Sequence, residues 1–236
     1  MSRQKVVVTG GSLGIGRSIA IQFAKNGYDV AVCSRNEKNL VALASDLGEL
    51  ADSNHIIQVC DVSDKGELEQ FWKLIEDSWG GVDVLVNNAG QFIPGRIQDE
   101  EEGILEKLFK TNLMSTYHMS RMVIPSMKKN GKGYIVNICS TASIGAYANG
   151  GSYSITKYAQ YGLTKNLREE LMGDNIGVTA ILPGPTFTNS WAGIDLPEDR
   201  FIDPDDIGEL VYQTVQFHPR SVVEEIIIRP QEGDIA

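Results

Sequence analysis

The sequence predicts an α/β fold, a doubly wound parallel sheet of seven strands with helices on both faces. Short apolar, β-branched runs recur at Lys5 to Thr9, Asp29 to Cys33, His55 to Cys60, Val82 to Asn87, Tyr134 to Cys139, Gly177 to Leu182 and Val222 to Ile228. Most are separated by amphipathic stretches of helical length. Parallel neighbours need crossover connections, and right-handed crossovers cover both faces of a sheet. The runs read as apolar throughout rather than alternating, as strands buried on both faces do. A chain of 236 residues with 42% hydrophobic content holds one large core, so a single domain over residues 1–236 is expected.

The first strand runs into Thr9-Gly10-Gly11-Ser12-Leu13-Gly14-Ile15-Gly16, and a helix opens near Gly14. In such a turn the backbone can approach a pyrophosphate, and the helix amino-terminus offers unpaired N–H donors and a positive dipole end. A tight β-α turn without a ligand is the plainer reading of this motif alone. The second strand ends in Ser34-Arg35-Asn36. An acid at that edge would accept from an unphosphorylated ribose, whereas Arg35 suits a 2′-phosphate, so NADPH is preferred over NADH. The alternative for Arg35 is a solvated loop arginine.

Farther along, helices are expected over about Glu101 to Met127 and Ser152 to Leu171. Asp203-Pro204 places an N-cap acceptor before a proline at the first helical position, with Asp205 and Asp206 in the first turn, and that helix should run to about Phe217. Between Pro183 and Ile202 the chain has three prolines, two glycines and little periodicity, which reads as a long loop or irregular flap. At the carboxyl edge of an open sheet such a segment would cover a ligand.

The formal net charge of -10 argues against a polyanion-binding surface, so no nucleic-acid partner is expected. Cys33, Cys60 and Cys139 lie far apart without ligand spacing, which fits a reducing, cytoplasmic compartment and no metal site. Cys139 reads as a small core residue at a strand end. No run reaches signal-peptide or membrane-spanning length, so no membrane partner is expected.

Tyr153 and Lys157 stand four residues apart, and Ser140 precedes the tyrosine by thirteen. Positions i and i+4 share a helix face, so the ammonium can lie beside the phenol and favour its ionised form, which makes the phenol usable as an acid near neutrality. A Tyr-x3-Lys pair alone is common by chance. The serine at its offset, after a buried-looking strand, is what points to carbonyl chemistry.

The glycine turn, Asn87-Asn88-Ala89-Gly90 and the set Asn112, Ser140, Tyr153 and Lys157 together resemble the short-chain dehydrogenase/reductase family, over nearly the whole chain from Val6 to Ile228. The resemblance implies a Rossmann-type sheet and NADP(H) as cofactor. It implies that Gly10, Ser12, Leu13, Gly14 and Ile15 hold the dinucleotide, that Asp61 and Val62 hold the adenine edge, and that Asn88, Ala89 and Gly90 line the adenosine ribose. Pro183, Gly184, Thr186 and Thr188 would receive the nicotinamide carboxamide. By the same resemblance hydride passes to a small-molecule carbonyl while Tyr153 protonates its oxygen. Lys157 would lower the tyrosine pKa and hold the nicotinamide ribose, Ser140 would donate to the carbonyl oxygen, and Asn112 would hold a water connecting the lysine to solvent.

The two long helices pair across a two-fold axis in that family, which implies a homodimer or homotetramer. The chain's end, Val222 to Asp234, resembles that of bacterial sepiapterin reductase-like members, which act on a side-chain ketone of a pterin. Trp191 on the flap would stack on such a flat substrate or latch the flap shut. Reduction of a 3-oxoacyl thioester of an acyl-carrier protein is the alternative, and a non-catalytic NADP(H) sensor a further one.

Overall fold

The computed structural model describes residues 3–50, 54–188 and 195–235. Seven strands, β1 (Lys5–Thr9), β2 (Asp29–Ser34), β3 (His55–Val59), β4 (Val84–Asn87), β5 (Gly133–Ile138), β6 (Ile176–Pro183) and β7 (Glu225–Ile228), form one sheet in the order β3-β2-β1-β4-β5-β6-β7. Every pairing is parallel. The winding direction reverses between β1 and β4, which opens a crevice at their carboxyl ends.

Because side chains alternate along a strand, successive valines of β1 feed two separate cores. Val6 and Val8 pack with Ile19 and Phe23 of α1 (Gly14–Lys25), Leu43 of α2 (Glu37–Leu50) and Val211 of α7 (Pro204–Thr214). Val7 packs on the other face with Phe71 of α3 (Lys65–Trp79), Met119 of α5 (Ser115–Asn130) and Leu171 of α6 (Gly151–Leu171). The expected double winding is present, with both faces covered.

Local chemistry sets the ends. Asp64 caps α3 by accepting from the N–H groups of Gly66 and Glu67, and Gly80, at φ 72°, closes it in the left-handed region. Asp203 caps α7 through Asp205 N–H, with Pro204 at the first position as expected. That helix stops at Thr214 rather than near Phe217, whose ring is exposed and has no core to join.

Three expectations need correcting. The strand expected over Val222 to Ile228 begins at Glu225, where pairing with Ala180 starts. The outer strands β3 and β7 are not fully buried, because each has a neighbour on one side only. The helix expected over Glu101 to Met127 is two helices, α4 (Ile104–Leu108) and α5, joined through a π-helical turn at Phe109–Met114. In the 183–202 segment, Thr186 bridges Ile202 and a 3-10 turn occupies Glu198–Arg200. Trp191 lies outside the described residues.

Candidate active site

A cleft of about 680 Å³ lies along the carboxyl ends of the central strands, at the reversal between β1 and β4. One end is formed by the glycine turn. Leu13 precedes α1 without a side-chain cap, and the first turn carries no acid, so the leading N–H groups and the positive helix end are left for a ligand. Gly10, at φ 64°, lies so near β4 that a Cβ would stand 2.8 Å from Ala89 Cα. A Cβ on Gly16 would overlap the Asn88 amide. Asn88 Nδ2 donates to the carbonyls of Thr9 and Gly10 at 3.0 Å each, and Thr9 Oγ1 accepts from the N–H groups of Asn88 and Ala89 at 3.1 Å each. The two strand ends are thereby tied across the crevice, while Asn87 ties β4 to β5 through Asn137 at 2.8 Å.

Ser12, Leu13, Gly14, Ile15, Val62, Ala89 and Gly90 all line the cleft. At the end of β2, Ser34 accepts from Ser12 Oγ at 2.7 Å, and Arg35 projects with its side chain 61% exposed. The last position of β2 is Ser34 rather than an acid. Asp61 stands between Cys60 and Val62, both of which line the cleft. Its carboxylate accepts from Ser63 N–H (2.9 Å) and Ser63 Oγ (2.7 Å) and lies 3.9 Å from Arg35. Burial pushes its pKa up, but Ser63 and Arg35 outweigh this and hold it below the usual carboxylate range. These glycine-lined donors and an uncapped helix end fit a dinucleotide, and Arg35 fits a 2′-phosphate.

Ser140, Tyr153 and Lys157 converge at the other end of the cleft. Ser140 caps the turn Thr141–Ser143, its Oγ accepting from Ala142 N–H at 3.1 Å, so its own proton is left to donate. Tyr153 is in the first turn of α6, with Phe92 packed edge-on at 4.9 Å between ring centroids. Lys157 Nζ stands 5.9 Å from the tyrosine ring centroid and donates to Ile138 O and Gln160 Oε1, both at 2.9 Å.

The electrostatics correct one expectation. Burial pushes the Tyr153 phenol up to about 12, although the Ser140 hydroxyl pulls it down; Tyr147 and Cys139 add to the rise. Burial likewise pulls Lys157 down to about 8, with Cys139 opposing. The lysine does share the tyrosine's helix face, but at this distance, and bound to Ile138 and Gln160, it does not offset the desolvation of the phenol. Cys139 is a core residue as expected, its thiol pushed up by burial to about 11.

Asn112 is fully buried in the π-helical turn. Its Oδ1 accepts from Gln91 N–H at 2.7 Å, and its Nδ2 donates to Gln91 O and Thr156 Oγ1, both at 3.0 Å. Both amide protons are committed to protein, so the side chain acts as a strut for the segment after β4.

Pro183, Gly184, Thr186 and Thr188 line the cleft, with Thr186 Oγ1 donating to Gly184 O at 3.0 Å. Lining residues outside the expected set include Phe92, Tyr147, Arg229 and Asp234. Arg229 follows β7 and pairs with Asp234. The rule that ligands sit beyond the carboxyl ends of parallel strands would have flagged that pair. Among the described residues there is no cluster of metal-binding side chains, and no helix is long and apolar enough to cross a membrane.

The short chain dehydrogenase family profile matches residues 4–199, and the chain belongs to this family of oxidoreductases. It is 30% identical over 224 residues to an uncharacterised oxidoreductase of Staphylococcus aureus (strain N315), covering 95% of this chain and 96% of the relative. Among solved structures, the alcohol dehydrogenase of the archaeon Thermococcus sibiricus, complexed with 5-hydroxy-NADP, superposes with TM-score 0.92 at 26% identity, over 100% of both chains. L-sorbose reductase of Gluconobacter frateurii, complexed with NADPH and L-sorbose, gives TM-score 0.90 at 25% identity, over 98% of this chain and 96% of that one.

Proposed function

We propose that this protein is an NADPH-dependent carbonyl reductase acting on a ketone or aldehyde, with a pterin side-chain ketone as its most specific substrate. The observation that carries this reading is the meeting of Ser140, Tyr153 and Lys157 in one cleft whose far end is an uncapped helix amino-terminus. Bound NADPH supplies a hydride. The Tyr153 phenol gives its proton to the carbonyl oxygen, and the Ser140 hydroxyl donates to that oxygen as charge develops on it. The Lys157 ammonium favours the phenolate left behind. The preference for NADPH is supported by Arg35 following a β2 that ends in Ser34 rather than in an acid, and by the NADP(H)-bound relatives above.

For the pterin, support comes from the chain's end and from the aromatic rings of Phe92 and Tyr147 at the cleft. Tyr117 on α5 and Ile155 and Tyr158 on α6 are exposed, which supports a homodimer or homotetramer. Three unpaired, buried cysteines support a cytoplasmic enzyme.

The test is consumption of NADPH, read by its absorbance, with sepiapterin, diketones and acetoacetyl thioesters. Reduction of sepiapterin is the expected result. Reduction of the thioester alone moves the assignment to 3-oxoacyl reduction, and tight NADPH binding without turnover of any carbonyl makes the protein a sensor. Tyr153→Phe is expected to bind NADPH as the parent does while turnover falls by about a thousandfold or more.

A further inference from the structure

The lining of the cleft includes Gly90 and Phe92, and Phe92 packs on Tyr153. This segment leaves the sheet after β4 and is held at two places. At its start, Asn112 takes both the N–H and the carbonyl of Gln91. At its far end, Glu100 reaches the first turn of α6, fifty-two residues away: Oε1 accepts from Ser152 N–H at 2.8 Å and Oε2 accepts from the Ser152 hydroxyl.

The join is built to be close. Gly95 N–H donates to Asn149 O at 2.9 Å, and Asn149 adopts φ 65°, a left-handed conformation. A Cβ on Gly95 would stand 2.8 Å from Glu100 Cγ. A Cβ on Gly151, at φ 36°, would overlap the Glu100 carboxylate and stand 2.5 Å from Gly95 O. Two glycines thus leave room for one carboxylate between the loop and the helix. Gly150 precedes the helix without a side-chain cap, so the Glu100 carboxylate takes the place of a local capping residue and neutralises the helix end.

We infer that Glu100 is a positioning residue for the reaction: by clamping the 91–100 segment to Ser152 it fixes Phe92 and Tyr153 as one unit, and so fixes the angle at which the phenol meets the substrate oxygen. This rests on the reductase reading above. Small displacements of a reacting group cost on the order of a hundredfold in rate.

The experiment compares the full-length parent with Glu100→Ala and Glu100→Gln. In Glu100→Ala, turnover is expected to fall about a hundredfold while the NADPH Michaelis constant stays within about threefold, because the glycine turn and Arg35 are untouched. Glu100→Gln keeps an amide oxygen for Ser152 N–H and should recover most of the loss. Amide hydrogen exchange should quicken over residues 92–99 and at Ser152 in the alanine variant, and return toward parent rates in the glutamine variant. Turnover of Glu100→Ala within about threefold of parent overturns the inference. So does a parallel loss of NADPH affinity and melting temperature that Glu100→Gln does not recover. If the parent reduces no carbonyl, the reductase reading fails by itself, and unchanged exchange in Glu100→Ala then separately overturns the clamp.

Discussion

Replacing Lys157 with methionine separates the cost of burying the ammonium from its use. Burial lowers the lysine from 10.5 to about 8. In the unfolded chain the amine keeps its proton until about pH 10.5, so between pH 8 and 10.5 the unfolded state binds more protons and parent stability gains as pH rises. That depression corresponds to about 3 kcal/mol of penalty at pH 7, of which about 2.5 kcal/mol is relieved by pH 10. Methionine keeps the length of the side chain and carries no proton. It orphans Ile138 O and Gln160 Oε1, at a cost of about 1 kcal/mol or more each, but that cost does not titrate in this range. The stability of the parent relative to Lys157→Met should therefore rise by about 2 to 3 kcal/mol from pH 7 to pH 10. Urea denaturation midpoints of both proteins at pH 7, 8, 9 and 10 measure this. Tyr153, titrating near 12, stays outside the window. A difference between the two proteins that is flat across these pH values would refute the buried, depressed ammonium.

Two further outcomes follow from the same geometry. The quotient kcat/KM for NADPH, which reports the free enzyme, should hold on the acid side and fall as pH rises through about 8, where Lys157 loses its charge; a profile flat to pH 10 would remove the lysine from the mechanism. Arg35→Ala should raise the Michaelis constant for NADPH by about tenfold or more and leave that for NADH within about twofold, as expected for loss of one charge-assisted contact to a 2′-phosphate; steady-state kinetics with both nucleotides decide it, and equal effects would cancel the assignment.

What the sequence discloses here is what local spacing controls. Apolar β-branched runs mark the strands, and most plainly the central ones, because a strand buried on both faces needs them along its whole length. The glycine turn is legible because close approach to Ala89 admits no side chain at Gly10. The π-helical turn is not: Asn112 makes its bonds to Gln91, twenty-one residues away, and to Thr156, forty-four away, and no periodicity reports them. Glu100 is hidden for the same reason, since its partner is Ser152. Asp61 stands where its motif predicts, yet the hydroxyl two residues later claims its carboxylate. The i,i+4 spacing correctly puts Lys157 near Tyr153, but the direction of the phenol's shift depends on desolvation, which belongs to the folded protein.

That desolvation defines the work the site must do. A phenol at about 12 is protonated throughout the neutral range, so Tyr153 is loaded as an acid without assistance. Leaving phenolate behind at pH 7 is another matter: five pH units correspond to about 7 kcal/mol. The neighbouring Ser140 hydroxyl eases that cost. The remaining compensation falls to a positive charge held close by, and Lys157 is the only lysine or arginine beside Tyr153 among the described residues lining the cleft at that end, apart from Arg229, which pairs with Asp234. Its proton must therefore survive burial. Ile138 O and Gln160 Oε1 both accept from Nζ and favour the charged form, while Gln160 is itself anchored by donating to Thr116 Oγ1 at 3.0 Å. The depressed value of about 8 is still on the alkaline side of neutrality, so the ammonium is present at neutral pH, and in the proposed reaction its titration would set the upper pH limit of turnover.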